Sequence, residues 1–143
     1  MTLVPKFIWP DSTFIRAIDA DTLEFELSID VGFGRILTTP VQRLRLAGVD
    51  CWPKSTPKGK TALELVESAC KRSSGHIRVV TLKPYKYGGS GPAAEWMCEA
   101  WIPDDAREPF FRSLAQMLLD ADLALPYDGR GPRPTEAYKI LEA

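Results

Sequence analysis

Histidine is almost missing: His76 is the only one in 143 residues. With a single imidazole, no Ser-His-Asp relay and no histidine-based metal centre can be assembled. His76 follows Gly75 and precedes a strand-like run, so it reads as a turn residue. Cysteine is nearly as scarce. Cys51, Cys70 and Cys98 form an odd set with no CxxC spacing, which excludes a zinc tetrad and argues against a disulfide framework. No apolar run approaches the roughly 18 residues that a membrane-spanning helix needs. Met1 to Pro10 holds one lysine and two prolines but no apolar stretch of signal-peptide type. The expectation is a reducing, cytoplasmic setting with no membrane partner. A large excess of either charge is also lacking, the net charge being −1, so the molecule as a whole is no polycation.

What remains is an ordinary globular composition, 45% hydrophobic and 26% charged, at a length that suits one domain with a buried core. Charge is unevenly spread. Residues 51–86 carry eight Lys/Arg against two Glu, a net of +6, whereas residues 1–50 come to −2 and 87–143 to −5. A basic middle can attract phosphate locally; a solvated helix face and strand ends explain the same pattern.

Hydrophobic periodicity supplies the elements. Residues 14–18 form a short strand candidate. Residues 22–30 alternate, with Leu23, Phe25, Leu27 and Ile29 opposed to Glu24, Glu26, Ser28 and Asp30, as a half-buried strand does. Gly32 and Gly34 open a loop that ends near Pro40. Residues 42–49 form the next strand, in which alternation keeps Arg45 off the face of Leu44 and Leu46. Thr56-Pro57 starts a helix, with Thr as N-cap and Pro at the first position. Its apolar set is Ala62, Leu63, Val66, Ala69 and Cys70. Residues 77–82 and 96–102 are strands separated by a glycine-rich loop. Ser113-Leu114-Ala115-Gln116 is a capping box for a second helix running to about Ala121, with Phe110, Leu114, Met117 and Leu118 along one side. Tyr127-Asp128-Gly129 is a turn. A linker with Arg130 and Arg133, read as a solvated tail, leads to a short C-terminal helix over 135–141. The order β-β-β-α-β-β-α predicts an α+β, mainly β, single domain. A five-stranded OB-type barrel suits it, with one helix between strands three and four and a second after strand five. An open five-stranded sheet is the alternative.

Two stretches carry chemistry. Ile18-Asp19-Ala20-Asp21-Thr22 and Arg45-Leu46-Ala47-Gly48-Val49-Asp50 each put carboxylates at the edge of a strand. Two such carboxylates can hold a hard divalent cation. A cation with an arginine can stabilise a pentacovalent phosphate. Turn and strand-end roles for Asp19, Asp21 and Asp50 are the plain alternatives.

These stretches, together with Ile29-Asp30-Val31-Gly32-Phe33-Gly34, Tyr85-Lys86-Tyr87-Gly88 and Ala124-Leu125-Pro126-Tyr127-Asp128-Gly129, resemble in order and spacing the staphylococcal nuclease (thermonuclease-like) family, in particular its compact phage-encoded branch. The resemblance covers residues 14–129, leaving 130–143 as a tail. It implies an OB-fold barrel descended from calcium-dependent nucleases. Carried over position by position, it implies Ca²⁺ held by Asp21, Asp50 and the Cys51 carbonyl, with Asp19 close by. Arg45 is then the first phosphate-binding, catalytic arginine.

Two departures from the family pattern bear on activity. The glutamate that positions the attacking water is replaced by Pro53, or by Lys54 if one residue is inserted. No arginine follows Lys86-Tyr87-Gly88. General-base assistance is worth about 10²–10⁴ in rate and an arginine on a phosphoryl transition state about 10³–10⁵, the product being only an upper bound. The resemblance therefore implies nucleic-acid binding with weakened or lost phosphodiesterase activity, a pseudoenzyme at the limit. One alternative is a working Ca²⁺-dependent DNA/RNA endonuclease with relocated helpers drawn from Glu64, Glu67, Lys54, Lys83 and Lys86. Another is a protein-interaction, virion or anti-defence module on a degenerate nuclease fold.

Aromatic and basic residues interleave at Lys83, Tyr85, Lys86 and Tyr87, as single-strand binding surfaces do. Trp52, beside the expected metal site, is the leading stacking or plug residue. Trp96 and Trp101 are separated by an odd number, so only one of them can face the core.

Overall fold

A computed structural model describes residues 6–84, 95–104, 110–128 and 133–135. Tyr85, Lys86, Tyr87, the glycine-rich loop after them, Arg130 and nearly all of the expected tail helix lie outside the described residues. The described chain is mainly β. Its strands are β1 (Phe7–Asp19), β2 (Thr22–Glu26), β3 (Ser28–Asp30), β4 (Ile36–Thr38), β5 (Gln42–Leu46), β6 (Gly48–Cys51), β7 (Ile77–Pro84), β8 (Trp96–Pro103), β9 (Phe111–Ser113) and β10 (Ala124–Tyr127). The helices are α1 (Pro57–Arg72), between β6 and β7, and α2 (Leu114–Asp120), between β9 and β10. No helix among the described residues is long and apolar enough to cross a membrane.

The main sheet runs β5-β2-β1-β7-β8-β9, and β5 also pairs with β8. That pairing is parallel, Leu44 to Leu46 against Trp96 to Cys98, so the sheet curls back on itself into a roughly barrel-like body. Most of the inward set is the one that alternation predicts: Leu23, Phe25 and Leu27 on β2 and its end, Leu44 and Leu46 on β5, Ile77 and Val79 on β7, and Cys98, Ala100 and Ile102 on β8 are all buried, whereas Ile29, expected with them, is only half-buried and Glu24, expected outside, is buried. Ala62, Val66, Ala69 and Cys70 of α1 and Leu114 and Leu118 of α2 join the same core.

Several expected boundaries shift, each for a local reason. The first strand begins at Phe7, because Phe7, Ile8 and Trp9 pair with Thr81, Val80 and Val79. Pro10 sits where the register slips between Trp9 and Ser12, a position that tolerates a missing donor. The expected strand over 22–30 breaks at Leu27, whose amide donates to Thr39 Oγ1 at 3.1 Å. The expected loop over 32–40 contains β4, which makes a hairpin with β3. The strand over 42–49 breaks at Ala47, whose amide donates to the Cys98 carbonyl, and resumes at Gly48 with φ +87°, a conformation that favours glycine. Phe110 is exposed, ahead of β9 rather than on the buried side of α2. Neither Trp96 nor Trp101 is in the core: the inward positions of β8 are Cys98, Ala100 and Ile102, and Trp96, although in phase with them, lies at the open start of the strand.

Helix α1 starts as its sequence predicts. Thr56 Oγ1 accepts the Gly59 amide at 3.1 Å, and Pro57 follows it. A Cβ on Gly59 would lie 1.8 Å from the Pro53 carbonyl oxygen and 2.6 Å from that of Trp52. Only glycine therefore lets α1 rest on the Trp52-Pro53 backbone, and this contact holds the end of β6 in place. On β2, Glu24, 9% exposed, lies in register with Arg16 on one side and Arg43 on the other. It accepts from Arg16 Nε at 2.5 Å and from Arg43 Nη2 at 3.2 Å.

Gly59→Ala is expected to lower the unfolding free energy by about 1–3 kcal/mol through overpacking, and Thr56→Ala by about 1 kcal/mol through loss of the cap, both read by urea denaturation. The Arg16 hydrogen bond holds the Glu24 carboxyl below the ordinary glutamate range, against the opposing pull of burial and with help from Arg43. The folded state thus binds fewer protons than the unfolded state in the acid range, so this contribution is complete above the unfolded glutamate value and is lost as pH falls through the lowered folded one. Both arginines are largely exposed, at 63% and 46%, so the effect is small. Thermal melts of Glu24→Gln should differ from the parent most near pH 7 and converge in acid.

Candidate functional site

A two-residue turn, Ala20-Asp21, joins β1 to β2, with Asp19 opposite Thr22. Asp21 is 2% exposed. Its carbonyl accepts the Leu46 amide at 2.9 Å, which locks the turn against the end of β5. Thr22 is in register with Arg45, so the Arg45 side chain lies beside the turn, with Nη2 3.8 Å from Asp21 Oδ2. β6 brings in the second carboxylate: Asp50 is fully buried, between Val49 and Cys51, which are themselves buried. The Cys51 amide donates to Asp21 Oδ2 at 2.9 Å. Asp21, Asp50, the Cys51 carbonyl and Arg45, which the sequence singled out on separate strands, thus converge on one cleft.

A further side chain completes the cleft. Arg133 reaches in from the tail, with Nε 2.5 Å from Asp50 Oδ1. Its Nη2 pairs with the same Asp50 oxygen, lies 3.3 Å from Asp21 Oδ2 and donates to the Cys51 carbonyl at 3.1 Å. Two residues on, the Thr135 amide and hydroxyl donate to Asp50 Oδ2 at 3.0 and 2.8 Å. The expectation of a solvated arginine is therefore corrected: the guanidinium is paired with two buried carboxylates, because they need a counter-charge and Arg133 supplies it.

The three oxygen donors are of the type a hard divalent cation takes. They all point at the guanidinium, which lies among them. Among the described residues no group of three or more His, Cys, Asp or Glu side chains gathers to hold a metal, so a cation here would rely on two carboxylates, one carbonyl and water. Burial pushes the Asp21 carboxyl above the ordinary aspartate range; the Cys51 amide, Arg45 and Arg133 pull it back, and Asp50 adds to the rise. The Cys51 thiol is pushed up by burial and by both aspartates, and Cys70 by burial to about 12. Both stay protonated and unreactive at neutral pH.

The other sequence candidates fall as follows. Asp19, partly exposed, accepts the Lys54 amide at 3.1 Å and so caps the turn after β6. Trp52 is 2% exposed and offers no ring face to a base. It packs under α1, with Lys58 Nζ 4.8 Å from the ring centroid, and its indole nitrogen is buried without a hydrogen-bond partner. The stacking role expected for Trp52 is thereby corrected: the Gly59 contact seals its position. Glu64 is exposed, and Glu67 pairs with Lys71 at 3.8 Å. Lys83 is exposed on β7, in register with Met97. Elsewhere, Trp9 and Trp96 flank a shallow depression of about 190 Å³ floored by Leu27 and Leu44.

No protein-family model and no curated protein sequence matches the chain.

Arg133→Met should destabilise the fold by about 3–5 kcal/mol, the cost of stranding buried carboxylates without their partner. Urea denaturation at neutral pH reads it. A loss below about 1 kcal/mol would mean that the guanidinium lies in solvent instead.

Proposed function

We propose that this chain is a staphylococcal-nuclease-like OB-fold domain that binds nucleic acid and hydrolyses it weakly or not at all. The observation that carries the reading is the guanidinium of Arg133 bonded to Asp50, Asp21 and the Cys51 carbonyl, the three groups that the family resemblance assigns to Ca²⁺. A bound Ca²⁺ would polarise a phosphoryl oxygen and a water; Asp21, Asp50 and the Cys51 carbonyl are the residues that would hold it. Arg133 offers a single charge, and several of its donors are committed to those protein oxygens. Arg45, 14% exposed at its side chain and 3.8 Å from Asp21, is on this reading the residue that would meet a phosphate. The basic stretch through Lys54, Lys58 and Lys60 extends the attraction. No described contact brings Glu64 or Glu67 to the cleft as a substitute base. The same reading sets the protein among nucleic acids inside a cell or a virion.

A protein-interaction role is the second reading. The observation that favours it is the β3–β4 hairpin, where Val31, Phe33, Ile36 and Leu37 are exposed and Phe33 is entirely so, at φ +59°. Contiguous exposed apolar surface on a soluble domain marks interaction sites.

Anisotropy of a labelled single-stranded oligonucleotide, followed from low to physiological salt, tests the proposal. The expected result is a dissociation constant of about 10⁻⁴–10⁻⁶ M that weakens with salt, a salt slope reduced by about one in Arg45→Ala, and no cleavage above background in Ca²⁺ at micromolar protein. Chelator-sensitive hydrolysis by the unaltered protein would make it a working nuclease. No binding even at low salt would favour the interaction module.

A further inference from the structure

We infer that residues 133–135 form an exchangeable strap, in which Arg133 and a divalent cation are mutually exclusive occupants of the Asp21–Asp50 cleft. The inference rests on the cation-site half of the reading above and adds its regulation. It starts from the geometry of the chain. β10 runs antiparallel to β6, with Leu125 opposite Asp50 and Tyr127 opposite Gly48. The backbone therefore leaves the cleft along β10, and within six residues of Tyr127 it has returned to put Arg133 back on Asp50. Only four residues of sequence separate Asp128 from Arg133, so the effective concentration of the strap at the cleft is high, about millimolar as for short linkers.

The strap is tied to the two aspartates by hydrogen bonds and ion pairs. Arg133 contributes its guanidinium, and Thr135 its amide and hydroxyl, both to the second oxygen of Asp50. Of residues 133–135 only Thr135 is buried, while the Arg133 side chain keeps 31% of its surface in water. A strap held by charge-assisted hydrogen bonds to two carboxylates is strong while those carboxylates are free to accept, and it has lost its partners once they bind something else. A divalent cation needs the same oxygens: one or both of Asp50, one of Asp21 and the Cys51 carbonyl. It brings twice the charge and completes its shell with water. The cation and the guanidinium cannot share that space without like-charge repulsion at contact distance. By linkage, the closed strap then reduces the apparent cation affinity by the fraction of time that the cleft stands open, and bound cation must loosen the strap by the same factor. The tail is thus an autoinhibitory contact with its own ligand-operated release.

Two measurements test this, and neither contains nucleic acid, so failure of oligonucleotide binding and failure of the strap are read separately. The first is Ca²⁺ titration by calorimetry of the full chain and of Arg133→Ala. The variant should bind Ca²⁺ about 10–100-fold more tightly than the parent, the range of an ordinary coupling, and Asp21→Asn in the same background should abolish the gain. If Arg133→Ala does not fold in its apo form, added Ca²⁺ should restore its circular dichroism. The second uses the parent alone: amide exchange of the peptide holding Thr135 should accelerate as Ca²⁺ is raised into the millimolar range, while peptides from β2 and β5 stay protected. Equal Ca²⁺ affinities for parent and variant, a variant that Ca²⁺ does not refold, or Thr135 protection that is unchanged or increased at saturating Ca²⁺ would each overturn the strap.

Discussion

Two carboxylates without water need a positive group, and the centre of this molecule is arranged around that need. Asp21 and Asp50 are held on different elements with almost no exposure, and burying both charges uncompensated would cost more than most single interactions in a domain can offset. The Cys51 amide, Arg45 and Arg133 answer the need in turn. Of these, Arg133 touches Asp21, Asp50 and the Cys51 carbonyl together. The turn between β1 and β2, the break at Ala47-Gly48 and the packing of α1 on Trp52-Pro53 fix the spacing that makes those contacts simultaneous.

A pocket of oxygens that can hold a metal ion can also hold a guanidinium. What differs is the chemistry each occupant permits. A divalent ion leaves coordination positions open for a phosphoryl oxygen and a water. A guanidinium that directs several of its donors at protein oxygens satisfies the carboxylates and polarises little else. In the proposed lineage, loss of the water-positioning glutamate and of the second arginine accords with a cleft that the chain fills itself.

Much of the fold was legible as pattern. Alternation in residues 22–27 and 42–46 put Leu23, Phe25, Leu44 and Leu46 inside and Arg45 outside, since side chains on a strand must take opposite faces. Thr56-Pro57 and Ser113 marked helix starts, because their hydroxyls satisfy amides that the helix leaves open: Ser113 Oγ accepts the Gln116 amide at 3.3 Å, as Thr56 accepts that of Gly59. Periodicity did not show where strands break. Leu27 and Ala47 leave their ladders for partners 12 and 51 residues away, Thr39 and Cys98, and no local signal carries such a choice. Trp52 misled for a similar reason: a tryptophan next to a candidate metal-binding stretch looks like a platform until its 2% exposure is known.

The sequence by itself determined most of the inward-facing residues of the strands and the caps of both helices, because those follow from side-chain type and from spacings of two to six residues, whereas Asp21, Asp50 and Arg45 stood out only through a family resemblance. Only the tertiary structure decided that Arg133, 83 residues from Asp50 and 112 from Asp21, is their counter-ion. Its sequence context of glycine and proline spells a linker, and the need it meets arises only when two distant carboxylates have been buried together.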